Sequence, residues 1–223
     1  MNNWGITILN SLIVRFLLPL TPVAAALFAE KNNWGLFSFT EVPFALECII
    51  SILFLDFIIY WQHVLVHKIP LLWKLHRVHH TDMDLDVSSA LRFHTLEIIL
   101  SIFIKIGVVL IFGISALAIL IFEIILNATA MFNHSNIRLP KKLDSFLRFF
   151  IVTPDMHRVH HSIIPKETDS NFGFNVPWWD YIFKSYKAQP EKGHKNMSIG
   201  LKEFQKKKDL SFWEIMVLPF KQA

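Results

Sequence analysis

Eleven histidines stand in this chain, and nine of them are spaced as metal ligands would be. His63 and His67 have H-x-x-x-H spacing, which puts both rings on one helical face a turn apart. A zinc-protease helix would need Glu directly after the first His, and Val64 occupies that place. The pentapeptide His76-Arg77-Val78-His79-His80 recurs as His157-Arg158-Val159-His160-His161; on a helix, residues i, i+3 and i+4 project towards a common point. His134 is the ninth. Nine imidazoles exceed what one ion can coordinate, so two metals are expected. Without metal, clustered imidazoles would repel as they protonate, whereas a bound ion holds each ring neutral. Asp56 and Tyr60 extend the His63 stripe upstream, and Asp56 reads as a hydrogen-bond partner that orients a ligating ring. Imidazole suits zinc, copper, iron and nickel alike.

The segments that carry these histidines are apolar. Hydrophobic residues make up 53% of the chain and charged residues 18%, with mean hydropathy +0.41, too apolar for an ordinary soluble domain. Residues 6–28, with Pro19 and Pro22, read as a first span. Met1 to Gly5 carry no positive side chain and Arg15 interrupts the apolar stretch, so this segment is expected to be retained rather than cleaved. Residues 42–67 read as a second span, closed by Pro70. Residues 96–131 are apolar for twice the length of one span and read as a hairpin about Gly113. The expected fold is an all-α integral-membrane bundle of about four spans, forming one domain over residues 1–223. A histidine-rich cap, residues 68–94 and 135–223, faces the headgroups. Four Lys and Arg lie in 68–94 and fifteen from Arg138 onward, nineteen of the 22 in all, which puts the cap and its histidines on the cytoplasmic side. Lys105 and Glu123 lie about equally far from the hairpin tip and are expected to pair. Cys48 has no partner and reads as a small buried hydrophobe. The net charge of +4 points to anionic lipid headgroups rather than nucleic acid.

Histidine clusters at the ends of spans, beside a bundle that can hold an alkyl chain, suit oxidation of a lipid carbon near its headgroup. Zinc has no redox chemistry, so iron is the functional choice. The order H-x-x-x-H, H-x-x-H-H, a single His in Phe132-Asn133-His134-Ser135-Asn136, and a final H-x-x-H-H resembles the fatty acid hydroxylase and sterol desaturase superfamily. Arg92-Phe93-His94-Thr95-Leu96-Glu97 looks like its Arg-x-His-x-x-Glu element. Asp169-Ser170-Asn171-Phe172-Gly173 and Trp179-Asp180-x-x-Phe183 resemble its tail. The likeness runs from about Asp56 to Tyr186. It implies a di-iron centre on the cytoplasmic face, O₂ as co-substrate, and two electrons from an external carrier.

Some members carry a second histidine where Ala130 stands, so Asn133 or water would complete that shell; His94 is a further ligand or an outer partner. Arg77 and Arg158 are read as binding phosphate headgroups or carboxylates, His194 as solvated or interfacial, and Asp82, Asp84 and Asp86 as a solvated turn. Lys206, Lys207 and Lys208 read as a headgroup-contacting or solvated run, with residues 212–218 lying in the interface. No Gly-rich nucleotide loop appears. Electrons therefore come from a separate reductase, ferredoxin or b-type cytochrome, with Arg138, Lys141 and Lys142 as its docking residues. A divalent-metal-binding or transport protein is the alternative, though its only mid-span polar candidates are Glu47, Asp56, Lys105 and Glu123. A scaffold that has lost its metals is argued against by the intact clusters.

Overall fold

The computed structural model describes residues 2–17, 21–206 and 210–221; Met1, Pro19, Lys207 and Lys208 lie outside them. The described residues are helical, with no β-strand and one isolated bridge between Ser162 and Ile199. Two helices, α1 (Asn2–Leu17) and α2 (Pro22–Lys31), occupy the stretch expected as a first span. Thr21 caps α2 by accepting from Ala24 N, and Pro22, with fixed φ and no N–H, suits the start of a helix.

Three helices among the described residues are long and apolar enough to cross a membrane. The first is α3 (Phe44–Lys68). It ends at the extended Ile69, as the residue before a proline tends to, and Pro70 opens the short α4 (Pro70–His76). The other two, α5 (Thr95–Phe112) and α6 (Ala116–His134), form the hairpin expected over 96–131. Gly113 makes the turn at φ 69°, and a Cβ there would lie 2.6 Å from the Trp34 carbonyl oxygen, so glycine is required on both counts. Ser115 caps α6, and the buried carboxylate of Glu47 in α3 accepts from Ser115 N at 3.2 Å and from its Oγ at 2.9 Å. The hairpin tip is thereby tied to the start of α3. Lower down, Lys105 Nζ lies 2.5 Å from Glu123 Oε1, the pairing expected from their matched depth.

Leu55, Ile59, Ile106, Val109, Ile119 and Phe122 form the core between these helices. Ile49, Phe103, Ile111, Leu120 and Ile124 point outward and are exposed, a surface that suits lipid better than water. In lipid such helices are held by close packing and hydrogen bonds rather than by transfer out of water.

Residues 135–206 and 210–221 make a cap of short helices, among them α7 (Lys141–Leu147) and α8 (Pro154–His160). Thr153 caps α8 and donates to Asp144 Oδ1 at 2.6 Å. Arg77 is buried, donates to the carbonyls of Leu218 at 2.5 Å and Lys221 at 3.0 Å, and lies 3.9 Å from Glu203 Oε1, so of the two kinds of partner expected for it the structure supplies a carboxylate. The helix Phe212–Val217 is only partly an interfacial element. Trp213 is exposed, but Ile215 and Leu218 pack into a second small core with Ile6 and Val78.

Candidate metal centre

The nine histidines converge as two adjoining groups. His63, His67, His76, His80 and His160 form the first, and His79, His134, His157 and His161 the second. Within each group one nitrogen per ring lies within 4.8 Å of every other. Neither pentapeptide aims its three rings at a common point, contrary to the helical projection. His76 and His80 go to the first group and His79 to the second; His160 goes to the first, His157 and His161 to the second. The reason is local. α4 ends at His76 and a 3-10 turn begins at His79, while α8 ends at His160, so the rings fan to either side of each segment.

Hydrogen bonds on the far side of four rings fix which nitrogen faces inward. His63 Nδ1 donates to the Phe172 carbonyl at 2.8 Å, His160 Nδ1 to the Ser170 carbonyl at 2.8 Å, and His76 Nδ1 to Glu97 Oε1 at 2.7 Å. His67 Nδ1 faces Asp169 Oδ1 at 3.6 Å. The oxygens bonded to His63, His160 and His76 can only accept, so in those rings the proton sits on Nδ1 and the lone pair on Nε2, whereas His67 is beyond hydrogen-bond distance of Asp169. Nε2 of His63, His67, His76 and His160 is in each case buried without a protein partner. Four buried ring nitrogens left bare would be costly, and a cation satisfies them together. In the second group His134 Nδ1 donates to the Ala130 carbonyl at 2.7 Å. Its Nε2 lies 3.0 Å from that of His79 and 3.1 Å from that of His157, which is 3.1 Å from Nε2 of His161. Imidazole nitrogens about 2.1 Å from one shared ion, in adjacent positions, lie roughly 3 Å apart. The donor set, all imidazole with an oriented outer hydrogen bond on four of the rings, fits two first-row transition ions.

Electrostatics agree. Burial, reinforced by the neighbouring rings, holds His79, His80, His157 and His161 well below the usual imidazole range. Burial also pushes His160 down to about 3. Neutral rings with free lone pairs are the form a metal requires.

The other site residues fall elsewhere. His94 belongs to neither group: its Nδ1 accepts from Leu96 N at 3.2 Å, capping α5, and its Nε2 donates to the Met216 carbonyl at 3.2 Å. Asp56 orients no imidazole; it accepts from Trp179 Nε1 at 2.8 Å and Asn175 N at 3.3 Å, tying α3 to the tail of the cap. Asn133 is buried beside His134; its Nδ2 donates to the Phe174 carbonyl at 3.3 Å, which leaves Oδ1 buried without a protein partner. Arg158 pairs with Asp155. His194 is not solvated: its ring is largely buried, 3.9 Å from Asp155. Asp84 and Asp86 lie in an exposed turn, whereas Asp82 accepts from Asn3 at 3.1 Å and Ser89 at 2.7 Å. The motif reading gave Glu97 no role, yet it holds His76. The carbonyls of Ala130, Ser170 and Phe172 leave no trace in residue type. The loop that supplies two of them is shaped by Asp180, whose carboxylate accepts from Phe172 N and Gly173 N, each at 2.8 Å. Asn171, at φ 52°, also bonds Met156 and Lys187 in that loop.

A cavity of about 560 Å³ runs between α1, α3, α5 and α6 and meets the first group at His63 and His76. Val14, Ile59, Ile102, Leu126 and Phe174 are among the apolar side chains that line it.

A model of the fatty acid hydroxylase family matches residues 48–185, a stretch that holds all nine converging histidines and Glu97, and the chain belongs to that family. It is 24% identical over 157 residues to an ornithine lipid hydroxylase of Rhizobium tropici, covering 70% of this chain and 46% of that protein. It is 28% identical over 142 residues to alkylglycerol monooxygenase of Homo sapiens, covering 61% of this chain and 30% of the relative. For alkylglycerol monooxygenase of Danio rerio the identity is 29% over 166 residues, with 71% and 35% covered. The matched stretch is thus less than half the length of each of these relatives. No solved structure matches the chain.

Proposed function

We propose that this protein is a multi-pass membrane enzyme that uses O₂ to hydroxylate or desaturate a C–H bond of a lipid at a two-iron centre held by His63, His67, His76, His80 and His160 on one side and His79, His134, His157 and His161 on the other. The observation that carries this reading is the adjoining pair of buried all-imidazole groups, the first of which meets a largely apolar cavity of about 560 Å³. Iron bound by these rings would supply O₂ activation and oxidation of carbon, chemistry that zinc lacks.

The chain's own residues provide the setting. Glu97, Phe172, Ser170 and Ala130 fix the tautomer and angle of four rings, which strengthens each as a donor. The apolar side chains of the cavity would hold an alkyl chain against His63 and His76. The relatives named as ornithine lipid hydroxylase and alkylglycerol monooxygenase favour a membrane lipid with a polar headgroup over a sterol or a free fatty acyl chain among the lipids the reading admits. With the basic cap on the cytoplasmic side, exposed Arg138, Lys141 and Lys142 offer a docking face to a separate electron carrier. A transport role draws no support from the spans: Glu47 is held by Ser51 and Ser115, Asp56 by Trp179, and Lys105 by Glu123.

The test is lipidomics of cells with the gene, without it, and with His160→Ala. The intact gene should yield an oxidised lipid absent from the other two, with the variant still inserted in the membrane. Normal product from His160→Ala would refute the role given to that ring.

A further inference from the structure

The cavity that meets the first histidine group ends on charge. Lys105 and Glu123, paired at 2.5 Å, both line it. Along α5 the lining runs Glu97, Ser101, Lys105, one turn apart and on one face. Along α6 it runs Ala130, Asn127, Leu126, Glu123. Among the described residues, α5 lines nothing past Lys105 towards Phe112, and α6 nothing past Glu123 towards Ala116. The pair is therefore the deep end of the lining on both helices.

Stability alone does not explain an ion pair in this place. Lys105 is buried and Glu123 partly so; such a pair is generally no more stabilising than well-packed apolar residues of the same size, and ionisable side chains within spans tend to serve function. A methyl terminus pushed against the pair would strip hydrogen-bonding partners from charged atoms and return none. The same contact costs nothing to a chain that stops short. We propose that Lys105 and Glu123 form a floor that limits the length of hydrocarbon the cavity accepts, a specificity role that rests on the lipid-oxidation reading above. From Glu97, which holds His76, to Lys105 is about 12 Å of helix, the span of an extended chain of about nine or ten carbons.

Native mass spectrometry of the purified, metal-loaded protein tests this without turnover. The probe is an equimolar mixture of 1-O-alkylglycerols with chains of about 8 to 18 carbons. Detergent partitioning cancels when each length is expressed as the ratio of variant to wild type. Lys105→Ala/Glu123→Ala should raise retention of the longest chains relative to ten-carbon chains by about fivefold or more. Ser101→Leu, one turn nearer the histidines, should shorten the longest retained chain by about four carbons, the equivalent of one helical turn. A pair that merely staples the hairpin would change total binding and leave the length profile alone. Identical profiles in wild type and whichever of the two variants folds would overturn the floor while leaving the oxygenase reading intact. Retention of no alkylglycerol of any length by the wild type would remove the lipid-chain reading of the cavity and the floor with it.

Discussion

Nε2 of His134, the last residue of α6, lies 3.0 Å from Nε2 of His79. The proton of the His134 ring is already placed, since Nδ1 donates to the Ala130 carbonyl at 2.7 Å. His134 thus turns a bare lone pair towards rings from both histidine repeats, His79 from the first and His157, at 3.1 Å, from the second. A cation shared by the three nitrogens fits this spacing; without one, His79 or His157 satisfies the lone pair only by turning its own Nε2 proton towards it, since burial keeps those rings neutral.

His134→Ala removes the one ligand that the hairpin contributes. Bound metal should fall from about two ions per chain towards one, while His94→Ala, which alters a helix cap outside both groups, should leave the count unchanged. Elemental analysis of matched preparations reads both. Equal loss from the two variants would contradict the assignment of ligands.

Glu97 acts through His76. Glu97→Ala should weaken metal binding by about 10- to 100-fold, and Glu97→Gln, which keeps an acceptor oxygen near Nδ1, by less. Competition against a chelator of known strength measures the difference. Unchanged affinity in Glu97→Ala would mean that the 2.7 Å contact does not orient the ring for metal.

Asp56 is a fastener of the fold. Asp56→Ala leaves the Trp179 indole N–H and the Asn175 amide without their acceptor and should cost about 1–3 kcal/mol of stability. Metal content should stay at the wild-type level. Thermal unfolding combined with metal analysis separates this from a role at the centre, which would lower both.

The hairpin, the second span and the nine-histidine set were legible because each rests on a regular signal: apolar length, a glycine at the turn, and side chains of one distinctive type. The Lys105–Glu123 pair was legible from matched depth alone. What escaped was the assignment of rings to groups, because the pentapeptides bracket the ends of α4 and α8, where helical periodicity stops describing direction. Most of the outer hydrogen bonds escaped as well. Three come from backbone carbonyls, whose position depends on a loop held by Asp180 and Asn171 and on the last turns of α6. Residues 6–28 read as one span by composition, but that measure does not weigh a Thr-Pro helix start against a continuous helix.

Acid should destabilise the metal-free protein. A histidine in the unfolded chain takes up a proton near the ordinary value of 6.5, whereas in the fold burial pushes His160 down to about 3 and holds His79, His80, His157 and His161 low. Between those limits the unfolded chain binds more protons, so stability is full above about pH 6.5 and declines as pH falls below it. Asp180, pushed up to about 6 by burial, works in the opposite direction over a narrower window and does not outweigh these histidines. The Tm of the stripped protein should be lower at pH 5 than at pH 7.5, and a flat profile would contradict the burial of neutral rings.

If nine imidazoles hold a pair of iron ions, X-ray absorption at the iron edge, with metal quantified on the same sample of protein produced under iron supplementation, should show about two irons per chain in a shell dominated by nitrogen, with imidazole scattering lost in His134→Ala and His160→Ala. Well under one metal ion of any kind per chain in protein that still oxidises its lipid would contradict a two-iron centre.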